Sequence, residues 1–193
     1  MYLDAACMDM EEALRTLQLI GTKVGQHDAH MHITGVGRSG PIQGESVRQH
    51  DDGKPYHPII GYYLSAGAPT DSASGSATGR RRYSAMRVVR SSDSSTSPFL
   101  QTFANNELLT VVIKSYRAGG DDSKDTQPMF HFELKEARVK TFTLMFGGEL
   151  PNTGAVEIIE FAFRRINIDA APQTKVGQRG VPRPFDDDLT VEV

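Results

Sequence analysis

The feature that most constrains this 193-residue chain is an alternation of period two near its end. Glu157, Ile159, Phe161, Phe163, Arg165 and Asn167 interleave with Ile158, Glu160, Ala162, Arg164, Ile166 and Ile168. Successive side chains of an extended strand point to opposite faces, so residues 155–168 read as a long β-strand. Runs rich in β-branched and aromatic residues, broken by Gly, Pro, Asn and Asp, predict further strands over 30–36, 57–66, 82–90, 108–117, 128–135 and 137–146. Gly119-Gly120-Asp121-Asp122-Ser123 and the stretch 149–154 have hairpin composition and favour antiparallel neighbours. One helix interrupts the pattern, with Ser97 as N-cap, Pro98 at the first helical position, Phe99, Leu100 and Phe103 on an apolar side, and Asn105-Asn106 closing it. Strands do not alternate with helices. The expected fold is therefore mainly β: an antiparallel β-barrel of two packed sheets with one flanking α-helix, closure leaving fewer edges open.

The flanks read differently. Residues 1–29 form an N-terminal extension with a short helix over 9–21, where Asp9 can cap, Met10, Leu14 and Leu17 make one stripe, and Gly21 ends it. Residues 30–168 are the barrel domain. Residues 169–193, with Pro172, Pro182, Pro184 and Asp186-Asp187-Asp188, lose periodicity and are expected to be extended or disordered. Between Gly67 and Gly79 the small polar composition predicts a long mobile loop. The net charge of −3 offers no field for phosphate backbones or anionic lipid, and the apolar runs are too short to span a bilayer. The first ten residues carry Asp4 and Asp9 and do not read as a Sec-type signal; the lone Cys7 cannot form an internal disulfide, which suits a reducing cytoplasm.

Several motifs suggest chemistry, and each has a plainer reading. In Asp28-Ala29-His30-Met31-His32 the two imidazoles share a strand face and could bind a divalent metal, with His50, His57 and His131 as further imidazoles. The motif is similar to the metal-binding strand of amidohydrolases, but those use a large (β/α) barrel whose alternation and length are missing here. The plain reading is two His at a strand start. Gly35-Val36-Gly37-Arg38-Ser39-Gly40 matches the dinucleotide fingerprint by letter, yet Pro41 and Gly44 follow where a helix is required, so the glycines read as turn residues. Gly79-Arg80-Arg81-Arg82-Tyr83 is the dense basic run; it reads as the solvated flank of a loop or as a charge-matched contact to another subunit. No Gly-x-Ser-x-Gly elbow occurs, and Cys7 lies in the extension. The carboxylate pairs Glu157/Glu160 and Asp121/Asp122 are expected on an exposed strand edge and in a turn. No catalytic residue, cofactor or metal is expected.

The order of segments from about His30 to Ile168 resembles the hemolysin-coregulated protein (Hcp) family of type VI secretion systems. Gly40-Pro41-Ile42-Gln43-Gly44-Glu45-Ser46 is similar to the family's Gly-Ile-x-Gly-Glu-Ser stretch. Ile59-Ile60-Gly61-Tyr62-Tyr63-Leu64 is similar to its aromatic-centred strand, with Tyr where Trp is common, and residues 67–79 to its extended Gly/Ser loop. Val88-Val89-Arg90-Ser91-Ser92-Asp93 then Ser97-Pro98 matches its strand ending in a basic residue, Asp and Ser-Pro before a helix. Residues 111–117, Phe130 to Val139 and a Glu157-led final strand complete the order. Residues 1–29 are extra, and the tail is far too short for a fused toxin domain.

The resemblance implies a structural tube subunit: a homohexameric ring, rings stacked into a hollow tube that carries or secretes effectors, and contacts with a spike protein, a sheath and small effector proteins. It implies a cytoplasmic protein that becomes extracellular through the secretion apparatus, without an enzyme's site. Gly44, Glu45, Ser46, Asp93, Ser97, Pro98 and Glu157 are the family-motif positions. The loop carrying Ser72, Ser74, Gly75, Gly79, Arg80, Arg81 and Arg82 is the candidate ring-stacking element. The alternatives are a tube protein of a contractile phage tail-like particle, a metal-dependent hydrolase using His30 and His32, and a monomeric ligand-binding barrel with a closed apolar interior.

Overall fold

The computed structural model describes residues 11, 14–16, 18, 27–48, 50–76, 78–79, 81–117, 128–147, 155–172 and 180–189. Its strands are β1 (His27–Gly35), β2 (His57–Ile59), β3 (Gly61–Tyr63), β4 (Ala66–Gly67), β5 (Arg82–Tyr83), β6 (Met86–Ser91), β7 (Leu109–Arg117), β8 (Phe130–Phe146), β9 (Ala155–Ala162), β10 (Arg165–Ala170) and β11 (Arg183–Asp188). The helix α1 (Thr96–Ala104) lies between β6 and β7.

Every pairing among these strands is antiparallel. The backbone of one main sheet runs β2-β1-β7-β8-β9-β6-β3, with β10 joining β8 and β11 joining β10. The 17-residue β8 organises it. Its first half pairs with β7 on one edge and β10 on the other, and its second half pairs with β9. A positive φ of 50° at Glu136 and a register shift between Val139 and Thr141 fall between the halves, where an unpaired residue adds bend and twist. One strand thus serves two layers, where the sequence pattern suggested separate strands over 128–135 and 137–146.

Ala29, Met31 and Ile33 of β1 point inward with Val111 and Ile113 of β7, Leu134 of β8, Met86 and Val88 of β6, Ile159 and Phe161 of β9 and Ile166 of β10. Side chains from both layers share this core, so the two-layer, mainly β expectation describes the molecule. The sheet is not closed into a barrel. Its path ends at β2 and β3, which follow each other along the chain through Ile60 and therefore lie end to end, not side by side.

Further differences have local causes. The N-cap of α1 is Ser95, so Ser97 and Pro98 are its second and third helical residues, not its cap and first residue. Phe99 and Thr102 are the buried residues of α1, while Leu100 and Phe103 face solvent. Glu157 and Glu160 are not on an exposed edge, because β9 lies between β8 and β6; they are buried on opposite faces. Residues 183–188 of the tail pair with β10 as β11. Residues 11, 14–16 and 18 are helical, and the buried Thr16 accepts a hydrogen bond from Arg87 on the outer face of the second layer. The rest of that predicted helix, Cys7 and the turns at 119–123 and 149–154 lie outside the described residues.

Candidate functional site

Two polar assemblies hold five of the motif positions, Gly44, Glu45, Ser46, Asp93 and Glu157. In the first, Arg90 of β6 stands directly across from Glu157 of β9. Both side chains are 0% exposed, and Arg90 Nε lies 2.8 Å from the Glu157 carboxylate. The same guanidinium donates to Asp93 and to Ser95 Oγ, shares a hydrogen bond with His57 Nδ1 at 3.1 Å, and sits 4.8 Å from the centre of the Phe99 ring. Thr96 donates its hydroxyl to Glu157. One cation therefore ties β2, β6, β9 and the start of α1 together. Burial, then the Arg90 charge, lowers His57 to about 4, so the imidazole is neutral at physiological pH. Burial raises the Asp93 carboxyl, but hydrogen bonds from Ser95 and the Arg90 guanidinium outweigh it and leave Asp93 below its ordinary value.

The second assembly lies on the opposite face of the first layer. Alternation in β1 turns His30 and His32 away from the core, and residues 42–56 cover them. Gly44 passes against the Tyr56 carbonyl, where a Cβ would collide with that oxygen, so this crossing needs glycine. Ser46 donates its backbone N–H to the same carbonyl at 3.0 Å, and its Oγ lies 2.9 Å from His30 Nδ1. Glu45 accepts hydrogen bonds from Ser94, joining this segment to the turn before α1. Lys114 of β7 donates to Asp51 and Asp52, Tyr56 donates to Asp52, and the His50 ring stacks on Tyr56 at 3.9 Å between centroids. Burial lowers His50 to about 4, helped by His30 and Lys114. For Asp52 burial acts upward, but bonds from Tyr56 and Lys114 bring it down to about 2.

His30 and His32 do share a face, but their ring nitrogens are committed. His30 bonds Asp28 and Ser46; His32 bonds the Pro55 carbonyl at 2.6 Å and Thr34 Oγ1 at 2.8 Å. Among the described residues no group of three or more His, Cys, Asp or Glu is arranged to hold a metal. The Asp28–His30–Ser46 chain has the residue types of a hydrolytic triad, yet the Ser46 amide that could stabilise an oxyanion is already spent on Tyr56. The Gly35–Gly40 turn is filled from within: Glu107 accepts hydrogen bonds from the Arg38 and Ser39 amides and the Ser39 hydroxyl. An internal carboxylate occupies the place a phosphate would need.

The 67–82 segment leaves the body as a hairpin. Ala66 pairs with Tyr83 and Gly67 with Arg82. The Asp71 carboxylate takes the amides of Ala73 and Ser74 and the Ser74 hydroxyl, Thr78 donates to the Pro69 carbonyl, and Gly75 turns the chain at φ 68°. The described residues of the hairpin between 67 and 82 are exposed, as its composition requires, but locally bonded. Arg81 and Tyr83 reach Asp187 of β11; Arg82 is exposed, and Arg80 lies outside the described residues. Asp93 and Glu157 thus belong to the first assembly and Gly44, Glu45 and Ser46 to the second, Ser97 and Pro98 are exposed on α1, and Ser72, Ser74, Gly75 and Gly79 form a separate protrusion. Single-sequence reasoning missed His57, Lys114 and Asp187 as members of these networks. A polar residue spaced to face a sheet was the signal for the first two.

The model of the family described as "Type VI secretion system effector, Hcp" matches residues 30–169. The chain belongs to the Hcp family. Solved Hcp-related structures share its fold at low identity. One described as a type six secretion system protein superposes with a TM-score of 0.68 at 19% identity, over 83% of this chain and 95% of its own. Hcp1 from Salmonella typhimurium gives 0.62 at 12% identity, covering 86% and 96%. The secreted protein Hcp3 from Pseudomonas aeruginosa gives 0.60 at 16% identity, covering 86% and 99%. No curated protein matches the sequence. Hcp proteins are structural tube proteins of type VI secretion, and no helix among the described residues is long and apolar enough to cross a membrane.

Proposed function

We propose that this Hcp-family chain works by self-association: six copies close into a ring, rings stack into a tube, and the tube carries small effector proteins outward when a sheath contracts behind a spike. The observation that carries this reading is the family match over residues 30–169, on a fold whose polar networks are internal. Arg90, Glu157, His30, His32 and Lys114 are buried and bonded to their own chain, as befits a rigid building block. Head-to-tail contacts close into rings when the rotation between copies divides the circle, and the exposed hairpin at 66–83 is suited to reaching an adjacent ring. The subunit would fold in the cytoplasm and become extracellular on firing.

Size-exclusion chromatography with light scattering on the purified full chain tests this reading. A species near six subunit masses, with ring-shaped particles by electron microscopy, is expected. A monomer at concentrations of tens of micromolar and above would overturn it.

A further inference from the structure

We propose that β11 is a strap that fixes the direction in which the 66–83 hairpin leaves the body of the protein. This rests on the ring-contact reading of the hairpin for its use, but not for its structure. β11 lies beyond the residues matched by the family model, and it is pinned to the core because Asp187 stands across from Ile166, which is fully buried. The Asp187 side chain is 3% exposed, whereas its partner Arg81 is 53% exposed. Arg81 donates both Nε and a terminal nitrogen to the carboxylate, and the Tyr83 hydroxyl donates to it at 2.7 Å. A buried carboxylate stripped of its partners is costly, so the hold comes from the β11 side even though the arginine could be solvated alone. The Tyr83 ring also meets Phe163 edge-on, at 6.1 Å, in the kink between β9 and β10.

The base of the hairpin itself consists of two-residue strands and mutual bonds between Ser65 and Ser84, which join its arms to each other, as do the bonds of Asp71 and Thr78 further out. A two-stranded ribbon is marginal by itself, and nothing in those bonds sets its angle to the main sheet. Arg81 and Tyr83 lie on the returning arm of the hairpin, so bonding them to β11 fixes position and angle together.

Hydrogen exchange on the full chain, read by mass spectrometry, tests the strap. Asp187→Asn and Arg81→Gln are each expected to speed exchange in a peptide covering residues 66–83 at least tenfold, with peptides from β7 and β9 unchanged. If Asp187→Asn also loosens β10, Arg81→Gln decides, since its side chain is largely exposed. Unchanged exchange at 66–83 in Arg81→Gln would overturn the proposal. Exchange is read whether or not rings form, so failure of the ring reading leaves this result interpretable. A loosened hairpin with undiminished ring stacking would support the strap and remove the hairpin from the stacking contact.

Discussion

Arg90 and Glu157 face each other across β6 and β9 with neither side chain reaching water. An ion pair so placed is weak evidence of net stability, but breaking it from one side leaves an unpaired buried charge. Arg90→Met and Glu157→Leu are each expected to lower stability by about 3–5 kcal/mol. Combining the two substitutions in one chain should cost less than the sum, and urea denaturation of the three variants measures the difference. Acid should act on the same networks in two stages. His50 and His57 titrate near 4 in the folded chain, below the ordinary imidazole value of 6.5, so the unfolded chain binds more protons between those limits. Stability should therefore fall as pH drops from 6.5 toward 4. Asp52, at about 2 in the fold against 3.8, adds a second loss below pH 4, as do Asp93 and Glu160 in the same direction. Thermal melts across pH 3–8 check the profile, with His57→Gln expected to flatten its upper stage. Residue types at these positions were visible in the chain, but their meeting was not: Arg90 and Glu157 are remote in sequence, and nothing short of strand register brings them together.

The crossing of residues 42–56 over β1 shows how much an element can depend on one atom. Gly44→Ala would push a methyl into the Tyr56 carbonyl and displace the segment that covers His30. A loss on the order of 1–3 kcal/mol is expected from such overpacking, with faster exchange at the Ser46 amide as the local readout. Strand existence was legible because β-branched alternation is a local signal, but the single strand read over 155–168 is two, β9 and β10, interrupted at Phe163 and Arg164 where the chain passes from one half of β8 to the other. Helix α1 was legible as an element, while its start was not, because the Ser95 hydroxyl engages Arg90 and Asp93 and leaves no local capping bond to mark the end. β11 escaped notice for a different reason. Its residues are mostly exposed, it contains Pro184, and its one buried charge, Asp187, reads in isolation as part of a solvated acidic run.

At the scale of the whole subunit, protrusion and body are separable. The described residues between 68 and 79 are exposed and bonded mainly to one another, so the body should keep its melting temperature within a few degrees when this segment is removed. Ring formation should survive this deletion while end-to-end association of rings is lost; analytical ultracentrifugation and electron microscopy distinguish these outcomes, and intact stacking would remove the hairpin from the contact. The family was readable from segment order because the Gly44–Ser46 crossing, the Arg90–Asp93 turn and the Glu157 strand are bonded to one another, through Glu45 with Ser94 and through Arg90. The open path of the sheet was not readable, since β2 and β3 form one apolar run whose division at Ile60 depends on the partners either side. The shared strand β8 has a mechanical consequence. Layers joined by side-chain packing can slip past one another under load, but here a thrust on one layer passes to the other along an unbroken peptide backbone, so the two recoil as one body.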